Sequence, residues 1–188
     1  MEFHEYPWKS VDMVPKPFFF ISFSQQEGLG GSAAGGEFLS ALASFQGKIP
    51  VQVQRDYTLP SWWNPTWLIV ATSHSGNTEE TLEATETALK AGATVVAIST
   101  GGILAGLPEL YTNCHLVPSI GGQPPRSAFG HIFSRQLGLL RQLRVLPIPQ
   151  DGADEAMLER LQQAMDGFDL LKDPEGDICL LYTSDAAD

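Results

Sequence analysis

Positive charge is scarce in this sequence. Eleven lysines and arginines stand against 22 aspartates and glutamates, a formal net charge of −11. So acidic a chain is a poor match for nucleic acid or anionic membranes, which need a positive field. Any phosphate it holds must be held by local backbone amides and hydroxyls. Cysteine is scarcer still. Cys114 and Cys179 are too few for a disulfide framework, and a reducing cytoplasm is the expected compartment. Long hydrophobic runs are missing. Phe18-Phe19-Phe20-Ile21-Ser22-Phe23 is far too short to span a bilayer, charge and proline flank it, and nothing reads as a signal peptide. There is no H-E-x-x-H and no paired-cysteine spacing, so no metal is expected. Neither a G-x-S-x-G elbow nor a P-loop lysine occurs, which argues against hydrolase and nucleoside-triphosphatase chemistry.

What is present is an ordinary globular balance, with 43% hydrophobic and 18% charged residues in 188. That is enough for one domain with a real core and is unlike a disordered chain. The most informative stretch runs from Trp67 to Gly92. Trp67-Leu68-Ile69-Val70-Ala71 has the length and β-branched content of a buried strand. Glu79 to Ala91 reads as a helix, with Asn77 or Thr78 as its cap, acidic residues in its first turn and Gly92 as its stop. Between them lies Ser73-His74-Ser75-Gly76-Asn77-Thr78. A loop between a strand end and a helix start offers free N–H groups and a positive partial charge. Ser73, Ser75 and Thr78 add three hydroxyl donors, and Gly76 permits close backbone approach. This pattern predicts a phosphate cradle. The plainer alternative is a polar strand–helix turn with a cap.

In chain order, 1–17 reads as an irregular arm and Phe18 to Phe23 as the first strand. The glycine-rich run Gly28 to Gly36 follows, then a helix over Glu37–Phe45. Val51–Gln54, Trp67–Thr72, Thr94–Ile98 and Cys114–Val117 are further strands. Helices are expected at Glu79–Ala91, around Ile103–Leu107 and from Ser127 to about Leu143. Strands alternating with helices imply crossover connections, hence a parallel sheet and an α/β sandwich. Ligands of such sheets collect outside the carboxyl ends of the strands. The glycine run, the Ser73 loop, Ser99–Gly102 and Arg126 all follow strand ends and should share one rim. Residues 144–152, with two prolines and a glycine, read as a linker. Residues 153–178 open a second part. Its amphipathic helix carries Met157, Leu158, Leu161 and Met165 at helical spacing. The last ten residues, 179–188, match the translation of a transposase adapter and are expected to be a scar, which leaves the natural sequence cut near Ile178.

Gly28-Leu29-Gly30-Gly31-Ser32-Ala33 fits G-x-G-x-x-A, a dinucleotide pattern. The fit is weak alone, because four polar residues separate it from the strand and Asp56 is a late match for the acidic partner. A second phosphate wall, with the Ser32 hydroxyl joining the Ser73 loop, is the alternative. A plain packing turn is the third. Arg126 stands near a strand end behind Pro124-Pro125, where a guanidinium could stabilise a developing oxyanion. A surface arginine near a helix start is the blander reading. His74, His115 and His131 carry no chemical signature beyond their places in the loop, a strand and a helix.

Taken together, Gly28–Ala33, Arg55-Asp56-Tyr57-x-Leu59-Pro60, Ser73–Thr81 and Pro125-Arg126 resemble the N-terminal sugar isomerase (SIS) domain of the bifunctional phosphoglucose/phosphomannose isomerases. The resemblance covers about residues 18–143. It implies a flavodoxin-like three-layer sandwich with a five-stranded parallel sheet, and a homodimer. The reaction implied is aldose–ketose interconversion of glucose or mannose 6-phosphate with fructose 6-phosphate, without a cofactor. Gly31, Ser32, Ser73, Ser75 and Thr78 would then hold the phosphate, and Arg126 would stabilise the enediolate. The family usually has tyrosine where His74 stands. Its proton-abstracting glutamate, in a Glu-Asn-Ala-Lys-like motif, and its ring-opening histidine, in an Asn-His-Asn-Glu-like motif, have no counterpart here. The chain is therefore expected to be a phosphate-binding half with little turnover of its own. Two alternatives stay open: a non-catalytic SIS sensor of phosphosugars and a dinucleotide-binding domain.

Overall fold

The computed structural model describes residues 18–22, 31–47, 49–124, 127–150 and 152–166. The chain divides into two compact units, Met1–Ile148 and Pro149–Asp188. The expected 1–17 arm and the 179–188 scar lie outside the described residues.

The first unit runs β1 (Phe18–Ser22), α1 (Gly31–Gln46), β2 (Val51–Gln54), β3 (Leu68–Thr72), α2 (Glu79–Lys90), β4 (Thr94–Ser99), α3 (Gly102–Leu110), β5 (Cys114–Pro118) and α4 (Phe129–Gln142). The strands form one sheet in the order β2-β1-β3-β4-β5, and every pairing is parallel. Alternating strand residues feed two separate cores. Leu68 and Val70 of β3, with Val96 and Ile98 of β4, pack with Leu39 and Ala43 of α1 and Leu139 and Leu140 of α4. Ile69 and Ala71, with Val95 and Ala97, pack with Ala84, Ala88 and Leu89 of α2 and Leu104 and Leu107 of α3. The side-chain period of two thus sends α1 and α4 to one face and α2 and α3 to the other. The result is the α/β three-layer sandwich expected from the alternation. All five residues of β3 are buried, as befits a strand covered on both faces.

Three boundaries differ from the sequence reading by two residues or more. Helix α1 begins at Gly31 rather than Glu37, so Gly31–Gly36 is helix and not loop. Two glycines weaken a helix, but here packing prevails over propensity. A Cβ on Gly35 would collide with the amide of Gln136, a fully buried residue of α4. Helix α3 extends to Leu110, three residues beyond the expected stop, with Pro108 inside it. Burial of Leu104 and Leu107 holds this helix to β4 and β5 although the proline removes a hydrogen bond. Helix α4 begins at Phe129 rather than Ser127. The Ser127 amide instead donates to the Pro124 carbonyl at 2.9 Å.

Cys114 is buried in the α2–α3 core, and burial pushes its thiol up to about 11. It is a packing residue, not a nucleophile. In the second unit, α5 (Ala153–Asp166) forms as expected, and Met157, Leu158 and Leu161 are exposed.

Two glycine substitutions should move stability in opposite directions. Gly35→Ala overpacks the α1–α4 contact, offset in part by alanine's gain inside a helix, and should cost about 0.5–2 kcal/mol net. Gly106→Ala, inside α3 with open space around the added methyl, should gain roughly 0.5–1 kcal/mol. Urea-unfolding midpoints compare the two directly, and an unchanged midpoint for Gly35→Ala would contradict the packing described.

Candidate functional site

The sheet order contains one point at which the chain turns back. From β1 the chain crosses by α1 to β2 on one side, while β3 lies on the other side of β1 and feeds α2 on the opposite face. A crevice opens where two such connections diverge, and ligands of open α/β sheets bind there. Ser22 and Thr72, the last residues of β1 and β3, are register partners. The connections that follow them lead into the N-termini of α1 and α2. The parallel register therefore sets the ends of β1 and β3, the strands that lead to α1 and α2, side by side.

The loop after β3 is held from within. The Ser73 hydroxyl accepts the Gly76 amide at 3.1 Å and shares a 2.8 Å hydrogen bond with the Thr78 hydroxyl. Both side chains are buried, at 1% and 7% exposure. Because Ser73 Oγ accepts from Gly76, its own proton can go to Thr78 Oγ1, which leaves the Thr78 proton to point elsewhere. That order forms a relay, from amide to Ser73 to Thr78, in which each bond polarises the next. Thr78 is the N-cap of α2, but its side chain makes no capping bond. The first-turn amides of Glu79, Glu80 and Thr81 have no acceptor within the helix. Ser75 is exposed, and its Oγ accepts the Asn77 amide at 3.2 Å.

A second loop, after β4, braces the first. Thr100 donates to the His74 carbonyl from its amide, at 3.2 Å, and from its hydroxyl, at 2.7 Å. The Leu104 amide donates to the Gly76 carbonyl at 2.9 Å. Gly76 and Gly102 both have φ of 70°. A Cβ on Gly76 would strike the Gly101 carbonyl, and one on Gly102 would strike the Ser75 carbonyl. Left-handed backbone and close approach thus both require glycine at these positions. Gly76 uses its freedom for contact with the β4 loop. Asn77 does not cap α2; its Oδ1 accepts the Ile103 amide at 3.1 Å and so caps α3.

The acidic first turn of α2 is partly drawn aside. The Tyr57 hydroxyl donates to Glu80 Oε1 at 2.9 Å, and this bond raises the Tyr57 pKa. Arg55 pairs with Glu37 of α1 at 3.1 Å. The Arg55–Pro60 motif therefore ties β2's exit to both helices that flank the crevice.

Of the predicted site residues, Ser73, Ser75 and Thr78 stand together in one loop. Gly31 and Ser32 open α1, so their backbone amides belong to a helical first turn rather than to a preceding loop. The side chain of Ser32, Gly28–Gly30 and Arg126 lie outside the described residues. The sequence reading missed Ser99, Thr100 and Gly102 as the brace of the loop. The repeated motif of a serine and a glycine after adjacent strands, Ser75-Gly76 and Ser99-Thr100-Gly101-Gly102, was the available signal.

No family model matches the chain. Over 130 residues it is 40% identical to a bifunctional phosphoglucose/phosphomannose isomerase of Caldicellulosiruptor bescii, covering 69% of this chain and 38% of that relative. Over 105 residues it is 42% identical to the enzyme of the same name from Thermoplasma acidophilum, covering 56% and 31%. A further relative, from Aquifex aeolicus, is 31% identical over 139 residues, covering 73% and 42%. The chain thus spans well under half the length of the curated relatives it matches. Among solved structures, tagatose-6-phosphate ketose/aldose isomerase from Escherichia coli superposes with a TM-score of 0.53 at 19% identity, covering 81% of this chain and 44% of that one. A candidate phosphosugar isomerase from Clostridium difficile 630 gives 0.56 at 14%, covering 86% and 46%. At such identities these two likenesses speak to the fold alone, and the fold is that of the SIS phosphosugar isomerases. Over the stretch it shares with them, the chain belongs with the bifunctional phosphoglucose/phosphomannose isomerases.

The loop geometry separates two serines that look alike in sequence. Ser73→Ala strands the buried Gly76 amide and Thr78 hydroxyl and should cost about 1–3 kcal/mol of stability. Ser75→Ala, at an exposed position, should stay within roughly 0.5 kcal/mol of the parent. Equal losses in chemical denaturation would contradict the assignment of Ser73 as the internal brace.

Proposed function

We propose that this chain is the phosphate-binding part of an aldose–ketose isomerase that interconverts glucose 6-phosphate or mannose 6-phosphate with fructose 6-phosphate. The observation that carries the reading is the Ser73–Thr78 loop, which sets hydroxyls and the free amides of a helix N-terminus beside the crevice between β1 and β3. The names of the relatives supply the substrate class. In this reading the phosphate takes hydrogen bonds from Ser75, Thr78 and the first-turn amides of α2. Gly31 and Ser32, at the start of α1, contribute from the other wall. Ser73 acts through Thr78.

The chemistry follows from the substrate. A base removes the C2 proton of the open-chain aldose, electrons move toward the C1 oxygen, and a cis-enediolate forms. Transfer of the O2 hydroxyl proton to O1 and return of a proton to C1 give the ketose. The negative charge of the enediolate needs a nearby cation, the role proposed for Arg126. Neither a Glu-Asn-Ala-Lys-like nor an Asn-His-Asn-Glu-like motif occurs in this sequence, so no residue of this chain is assigned as the base. A general base contributes about 10²–10⁴-fold, and the chain alone should bind sugar phosphate with little turnover. The same reading places the whole enzyme in the cytoplasm as a homodimer. Among the described residues no helix is long and apolar enough to cross a membrane.

Calorimetric titration with fructose 6-phosphate tests the assignment. A hydrogen bond to a charged group is worth about 1.5–3 kcal/mol, so Ser75→Ala should weaken binding by roughly tenfold or more. Equal affinity in parent and variant would remove Ser75 from the site.

A further inference from the structure

Ser75 is the exposed serine of the loop after β3, and among the described residues no hydrogen bond from another element reaches it. Its hydroxyl accepts the Asn77 amide at 3.2 Å. Its two neighbours, by contrast, are pinned. Gly76 gives its amide to Ser73 Oγ at 3.1 Å and takes the Leu104 amide on its carbonyl at 2.9 Å. His74 is held at both ends. Its carbonyl takes the two Thr100 bonds, and its ring Nε2 meets the Gln123 carbonyl oxygen, 49 residues away, at 3.2 Å. A carbonyl only accepts, so the ring carries its proton on Nε2. Gln123 is secured in turn. Its side-chain amide meets His131 Nε2 of α4 at 3.1 Å. The Ser119 amide, at the start of the same connection, donates to the Ser99 carbonyl at 2.8 Å.

We infer that His74 is a positioning residue for Ser75, anchored by its ring on Gln123, with His131 as the support of Gln123. The inference rests on the phosphate-cradle reading, because that reading gives Ser75 its ligand. The loop does not need this ring in order to close. The Ser73 bonds to Gly76 and Thr78 already fold it back on itself. The ring instead ties the residue just before Ser75 to the connection that leaves β5, two strands away across the rim. The tie has a cost in stability, because His74 Nδ1 is buried without a partner among the described residues. What it gives is an exposed hydroxyl presented between two fixed points. Such a donor loses little freedom when an anion accepts its hydrogen bond.

Inorganic phosphate, titrated into the 188-residue chain and followed at the Glu79 and Thr81 amides, probes the loop without any sugar contact. Ser75→Ala should weaken binding by roughly tenfold or more. His74→Phe keeps a ring, loses the donor and should weaken binding by about three- to tenfold. The two losses should not add. In the Ser75→Ala background, His74→Phe should change affinity by less than about twofold, since a residue that acts through Ser75 has nothing left to position. His74→Gln can set an amide N–H where Nε2 stands and should return affinity to within about twofold of the parent. His131→Ala, on α4, should show the same dependence on Ser75 with a smaller loss, about two- to threefold. It decides the matter if His74→Phe does not unfold cooperatively in urea. If the His74→Phe loss persists in full beside Ser75→Ala, if His74→Phe binds as the parent does, or if His74→Gln fails to restore binding, the positioning role is wrong and the phosphate cradle stands. If Ser75→Ala binds phosphate as tightly as the parent, or the parent shows no saturable binding, the cradle reading falls and the inference with it.

Discussion

The hydroxyl of Ser73 sits at the end of β3 with two partners, the Gly76 amide and the Thr78 hydroxyl. Those two bonds fold the six-residue loop back on itself and fix where α2 starts. They also settle a division of labour. The Ser73 oxygen is buried and engaged, so it shapes the loop, while Ser75 stands exposed and Thr78 shares one hydrogen bond with Ser73. The β4 loop completes the arrangement from outside, through Thr100 on the His74 carbonyl and through the mutual approach of the Gly76 and Gly101–Gly102 turns. The site is thus stiff before any ligand arrives, and preorganised donors lose little entropy on binding.

A dianion and a protein of net charge −11 make an apparent mismatch that distance resolves. At physiological ionic strength exposed charges are screened beyond about 8 Å. The overall charge therefore weighs less than the few donors in contact. In the proposed site those donors are the first-turn amides of α2, strengthened by the positive end of the helix. Glu79 and Glu80 occupy the same turn, which favours the helix and opposes a bound phosphate. Tyr57 holds one carboxylate oxygen of Glu80 and so occupies it locally. An anion site at the crevice between β1 and β3, as proposed, would let two helix N-termini serve one ligand, which a single strand–helix unit could not do.

The parts legible in sequence were those fixed by local period. Leu68–Thr72 and Thr94–Ser99 announced themselves as continuous apolar runs, and Glu79–Lys90 by its acidic first turn and Gly92 stop. The placement of Ser73, Ser75 and Thr78 between a strand and a helix followed from the same pattern. Contacts distant in sequence were not legible. Gly35 looked like loop because the contact that needs a glycine there, the close approach of Gln136, lies 101 residues away. Three hydroxyls in one loop gave no sign that one of them was spent inside. His74 was read as a bland loop residue because its partner, Gln123, comes from the far side of the sheet's rim. Helix α3 outlasted its expected end because buried leucines outweighed Pro108.

The central claim is that α2's first turn and the Ser73 loop receive the phosphate. Amide chemical shifts followed during titration of the chain with inorganic phosphate test it most directly. The account predicts the largest saturable shifts at Ser75, Thr78, Glu79, Glu80 and Thr81, with smaller ones at Gly31 and Ser32. Saturable shifts centred on α3 or α5 with those amides unmoved would contradict it, as would the absence of any saturable shift.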